Sequence, residues 1–134
     1  MKQHGGQKMN VAFARNEYAN AKSNALSSKS ENFEAVSLAL RHLLDSMIAL
    51  KDAESPEERE PLFEKSLTSI YFLQKCLDFE SGGELAKNLF RVYEFSRQSI
   101  LDFVLRNKGS ENMDKSVEYV TLVQEGWNEL KNTN

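Results

Sequence analysis

The sequence predicts an all-α protein, an antiparallel four-helix bundle preceded by a polar N-terminal arm with room for a short helix. Three observations carry this. Apolar residues recur at steps of three and four through four separate stretches, which is the pattern of one buried helix face. Helix breakers are sparse. There are two prolines and six glycines in 134 residues, and four of those glycines fall in the pairs Gly5–Gly6 and Gly82–Gly83. The stretches are joined by short connections rich in capping residues, and short connections make successive helices antiparallel. No alternating strand pattern, internal repeat or low-complexity tract competes with this reading.

Residues 1–30 are predicted to form a mobile arm, with a short helix near Val11–Lys22, and residues 31–134 the bundle domain. The arm is rich in Ser, Asn, Ala and Lys. It holds five Lys/Arg and one Glu, a net +4, whereas residues 31–134 hold twelve Lys/Arg and nineteen Asp/Glu, a net −7. An acidic domain argues against nucleic acid as a partner, because phosphate recognition needs a basic surface.

The first helix is predicted to begin near Ser30, with Ser28 and Glu31 at capping-box spacing. Phe33, Val36, Leu40, Leu43, Met47 and Leu50 form its buried face. Ser55–Pro56–Glu57–Glu58 restarts the chain as a helix. Ser suits the cap, Pro the first turn, and the glutamates the positive end of the helix dipole. Pro61 lies close enough to that start to be tolerated, at the risk of irregular first turns. Phe63, Leu67, Ile70, Leu73 and Leu77 then face inward, and the helix is expected to end near Phe79. Ser81–Gly82–Gly83–Glu84 is read as a stop followed at once by a new capping box. The third helix turns Leu85, Leu89, Val92, Ser96, Ile100 and Phe103 to the core and stops near Asn107–Lys108–Gly109. Ser110 then caps the fourth, which buries Met113, Val117, Val120, Val123, Trp127 and Leu130.

The residues offer little for catalysis. Cys76 is the single cysteine, so no intrachain disulfide and no cysteine-rich metal site can form. His4 lies in the polar arm. His42 raises the idea of a phosphotransfer module, but Leu43, Leu44, Asp45 and Ser46 follow it, with no Lys or Gly close behind, and Asp45 would repel a phosphate. The pairs Glu57/Glu58 and Asp78/Glu80 are explained by capping and solvation. No nucleophile elbow and no phosphate-cradling loop is present. No cofactor or metal is expected. The N-terminus MKQHGGQK is not that of a secretory signal, and Val36–Leu44, broken by Arg41 and His42, is too short to span a bilayer. A cytoplasmic protein with no membrane partner is expected.

The informative feature is surplus apolar surface. A surface helix needs an apolar stripe of roughly 100°. Phe72, Cys76 and Phe79 lie nearly opposite the main face of the second helix. Phe90, Tyr93 and Leu101 widen the apolar arc of the third. These helices pack on two sides, or part of the surplus is a groove for a partner helix, and both can hold at once.

From Ser66 onward the chain resembles the FliS family of flagellar export chaperones. The matching segments are LQKCLDFE, SGGELAKNL, RVYEFSRQSILDFVLRN and the late EGWNEL. The N-terminal half diverges. Tyr18 stands where the family has an N-terminal aromatic, but Ser28–Lys29–Ser30 lacks the Ser-Pro, and SLALRHLLDSM lacks the Leu-Tyr-x-Gly run. The resemblance implies a four-helix bundle without enzymatic activity. It also implies that the disordered C-terminal segment of flagellin is the partner, held in the cytoplasm against premature polymerisation and delivered to the flagellar export machinery. Tyr18, Phe72, Phe79, Phe90, Tyr93 and Leu101 are the expected contact residues, with Tyr18 lying over the groove when no client is bound. The alternative is a helical adaptor or dimerisation module whose surplus rings meet in a homodimer.

Overall fold

The structure is a computed structural model that describes residues 26–133, with side chains described over 32–130. Four helices run in chain order: α1 (Leu26–Asp52), α2 (Pro56–Lys75), α3 (Phe79–Leu105) and α4 (Ser110–Thr133). Helix α1 packs on α2 and α4, and α3 packs on the same two, so each helix neighbours the next around a ring and α4 closes on α1. This is the up-down-up-down bundle expected. The predicted arm lies outside the described residues, apart from the part of it that begins α1.

The core follows the predicted faces. Leu40, Leu43, Met47 and Leu50 of α1 meet Ile70 and Leu73 of α2, Tyr93 and Ile100 of α3, and Met113 and Val120 of α4. A second cluster closes one end, where Phe33 stacks on Trp127 with centroids 4.7 Å apart and Leu130 packs beside them. The Trp127 indole N–H donates to Ser37 Oγ at 2.9 Å, which satisfies its one polar atom. Lys51 also reaches from α1 to Asp114 of α4.

Helix α1 begins at Leu26, so Ser28 and Ser30 lie within its first turns and not at a cap. The restart at Ser55 is as expected. Its Oγ accepts from Glu58 N, and the Glu58 carboxylate accepts from the Ser55 and Glu54 N–H groups. Helix α2 remains continuous through the exposed Pro61.

The α2–α3 connection differs from the expectation. Helix α2 ends at Lys75, four residues before Phe79. Asp78, and not Ser81, caps the next helix, accepting from Glu80 N at 3.0 Å and Ser81 N at 3.2 Å. A carboxylate at the positive end of a helix dipole is a strong cap, and Ser81 is buried. One short turn then precedes Gly83 at φ 55°, ψ −130°, where α3 kinks before running regularly to Leu105. Only glycine enters that region without strain. At the far end, the Arg106 and Lys108 N–H groups both donate to the Asp102 carbonyl, and Asn107 and Gly109 take positive φ.

Among the described residues, seven serines are buried. Ser66, Ser69 and Ser99 donate to carbonyls three or four residues back on their own helices. The hydroxyls of Ser46, Ser96 and Ser116 have no hydrogen-bond partner.

Two stability changes follow. Gly83→Ala is expected to lower unfolding free energy by about 1–3 kcal/mol, because alanine cannot adopt the kink without strain. Ser96→Ala is expected to be neutral or to stabilise by up to about 1 kcal/mol, since it removes an unpaired buried hydroxyl and favours the helix. Urea denaturation of each variant checks both.

Candidate protein-binding groove

The surplus apolar residues divide once the helices are packed. Tyr93 is 3% exposed and belongs to the core, so it cannot meet a partner directly. It lies seven residues before Ile100, on the same helix face, and that spacing was the signal for its burial. Phe79, Phe90 and Phe72 are exposed, at 48%, 37% and 38%. Leu101 is half-buried. Tyr18 lies outside the described residues.

The structure brings Phe79 and Phe90 together. Their centroids are 5.8 Å apart in an edge-to-face arrangement, a favoured geometry for aromatic pairs. The cap at Asp78 and the kink at Gly83 place Phe79 there, at the head of α3. Phe72 is not on the α3 side of α2. At ~100° per residue it points nearly opposite Gln74, which faces α3.

Gln74 identifies the seam between the two helices. Its side-chain amide donates to Glu94 Oε2 at 2.6 Å. Glu94 in turn accepts from Arg97, with Nε at 3.1 and 3.2 Å from its two oxygens and Nη2 at 2.9 Å from Oε1. The Arg97 fork, and then the Gln74 amide, hold the Glu94 carboxyl below its ordinary range. Arg97 is correspondingly raised by that carboxylate, and Tyr71 adds to the shift. The α2–α3 pair makes the least extensive contact of the four neighbouring helix pairs. This polar clasp therefore bridges the helix pair with the least extensive contact.

Sequence reasoning passed over Tyr71 and Leu105, exposed at 55% and 67%. Leu105 continues a stripe along α3 through Phe90, Glu94, Arg97 and Leu101, at steps of four, three, four and four. The two charged residues conceal that stripe from a search for apolar periodicity. Separate exposed apolar residues lie on the other helices: Leu38 and Ile48 on α1, and Tyr119 and Leu122 on α4. Tyr119 meets Phe95 of α3, with centroids 5.8 Å apart.

His42 lines a shallow groove of about 380 Å³ with Pro61, Glu64, Lys65, Thr68 and Ser69. Ser69 spends its hydroxyl hydrogen on the Lys65 carbonyl. Burial pushes the Cys76 thiol up, with Lys75 opposing. Burial likewise pushes the Tyr93 hydroxyl up, and Cys76 adds to it. Neither group is primed to ionise. Among the described residues, no three His, Cys, Asp or Glu side chains gather as a metal site, and no helix is long and apolar enough to cross a membrane.

The clasp has a pH signature. A depressed carboxyl contributes stability above its ordinary value of 4.5 and loses it as pH falls through the lower folded value. The pair is partly solvated, so Glu94→Gln is expected to cost only about 0.2–1 kcal/mol at pH 7. That difference should vanish toward pH 3, as read from paired denaturation curves.

Comparison with known proteins identifies the family. The family model described as flagellar protein FliS matches residues 14–134. A flagellar secretion chaperone FliS of Vibrio cholerae is 28% identical over 92 residues, covering 69% of this chain and 66% of that relative's length. No solved structure is significantly similar. The match runs from the polar arm through all four helices, and the chain belongs to the FliS family of flagellar proteins.

Proposed function

We propose that the chain is a cytoplasmic export chaperone. Its client is the disordered C-terminal segment of flagellin, which it keeps from polymerising prematurely and passes to the flagellar export machinery. The role is one of binding and not of catalysis. Family membership supports the general role. The observation that carries the binding mode is the solvent-facing Phe79–Phe90 pair beside the helix seam of least extensive contact.

A segment that cannot bury its apolar residues alone stays unfolded, because helix nucleation and chain ordering are costly. A rigid apolar groove offsets that cost and lets the segment become helical as it binds. The ordering penalty also moderates affinity, which suits a client that must later be released. Phe79, Phe90 and Leu101 supply contact surface on α3, Phe72 offers a separate contact on the far side of α2, and Tyr18 is the arm's contribution. Tyr93 supports the groove from within the core.

A flagellin C-terminal peptide is expected to bind the full chain and gain helicity, read by calorimetry and circular dichroism. Phe90→Ala is expected to weaken binding about tenfold or more, as for an aromatic anchor, without loss of fold. The reading fails if peptides from several flagellins do not bind. Concentration-dependent self-association in the absence of client would favour the dimerisation module instead.

A further inference from the structure

The α3 stripe is not uniformly apolar, and its order of residues specifies what can lie on it. From Phe90 to Leu105 the helix is regular. At 1.5 Å per residue this stripe is about 22 Å long. Phe90 stands at one end with Phe79 against it, and Leu101 and Leu105 stand at the other. Between the apolar ends lie Glu94 and Arg97, tied to Gln74 of α2.

The hydrogen bonds within the clasp leave a defined remainder. Both Glu94 oxygens are occupied, Oε2 by Gln74 and Arg97 and Oε1 by Arg97. Arg97 has five N–H donors. Its Nε–H and one Nη2–H are engaged with Glu94, which leaves three of the five donors outside the clasp. The Gln74 side-chain oxygen is a free acceptor. An apolar side chain laid over these groups would strip them of water and return nothing, and an unpaired buried polar group is costly. A side-chain oxygen placed there would instead receive a charge-assisted hydrogen bond from Arg97.

We infer that the clasp is a specificity filter within the groove. It selects an amphipathic partner helix with apolar residues at both ends and a hydrogen-bond acceptor (Asp, Glu, Asn or Gln) between them. In the partner's own numbering, apolar side chains fall at positions 1, 12 and 16, and polar ones at 5 and 8. That spacing mirrors Phe90, Leu101 and Leu105, with Glu94 and Arg97 between them. The inference rests on the chaperone reading for the place of binding, and adds the chemistry of the segment that fits.

Two synthetic helical peptides test it against the full chain. Both carry Leu at positions 1, 12 and 16; one has Gln at 5 and 8, the other Leu at all five. The wild-type protein is expected to prefer the Gln-centred peptide by about tenfold, the factor that one stranded polar group corresponds to. The double variant Glu94→Leu/Arg97→Leu, shown to be folded by circular dichroism, is expected to prefer the all-Leu peptide. Reversal of preference is the supporting result. A wild-type preference for the all-Leu peptide, an unchanged ratio in the double variant, or no binding of either peptide overturns the filter. Failure of flagellin peptides to bind, with the reversal intact, would overturn the choice of client and leave the filter standing.

Discussion

Burial of one face of α1 is the constraint on which the other contacts depend. Leu43, Met47 and Leu50 are wholly removed from water, and Leu40 nearly so. Their helix touches both α2 and α4. Full burial of a large apolar side chain is worth about 1.5–3 kcal/mol, so this stripe holds three helices in register. Helix α3 is held less directly, through α4 and through the looser seam with α2. Contact is therefore most extensive around α1 and least between α2 and α3. That asymmetry leaves aromatic rings facing solvent on α3 without emptying the core.

The seam is stabilised by a different kind of interaction. Gln74, Glu94 and Arg97 are partly solvated, so their mutual bonds contribute little to net stability. Their effect is on specificity. A wholly apolar seam between α2 and α3 would accept many apolar segments, including another copy of the chain. Charged groups in the middle of the stripe penalise indiscriminate burial. Upstream, the Asp78 cap and the Gly83 kink decide where Phe79 stands, and hence where the apolar end of the stripe begins.

Much of the fold was legible because it rests on periodic burial. The inward faces of all four helices, the Ser55 restart and the stop near Asn107–Gly109 appear as expected. Helix termini were less legible. Asp78 and Ser81 are both competent caps, and their sequence context does not rank them. Tyr93 shows the limit in another form. Its seven-residue spacing from Ile100 marks it as core, yet its neighbours Phe90 and Leu101 look equally apolar. The groove was half legible. Phe79 and Phe90 were singled out, but their mutual contact depends on a kink that no apolar pattern records.

The sequence by itself determined the class of fold, the number of helices, the faces they bury and the family, because each depends on residue type at short, regular spacing. Only the tertiary structure decided which surplus apolar residues are core and which face solvent, since that depends on where neighbouring helices lie. It also decided that Gln74 meets Glu94 across twenty residues of chain. A hydrogen bond between helices requires position and direction together, and periodicity along one helix supplies neither for its neighbour.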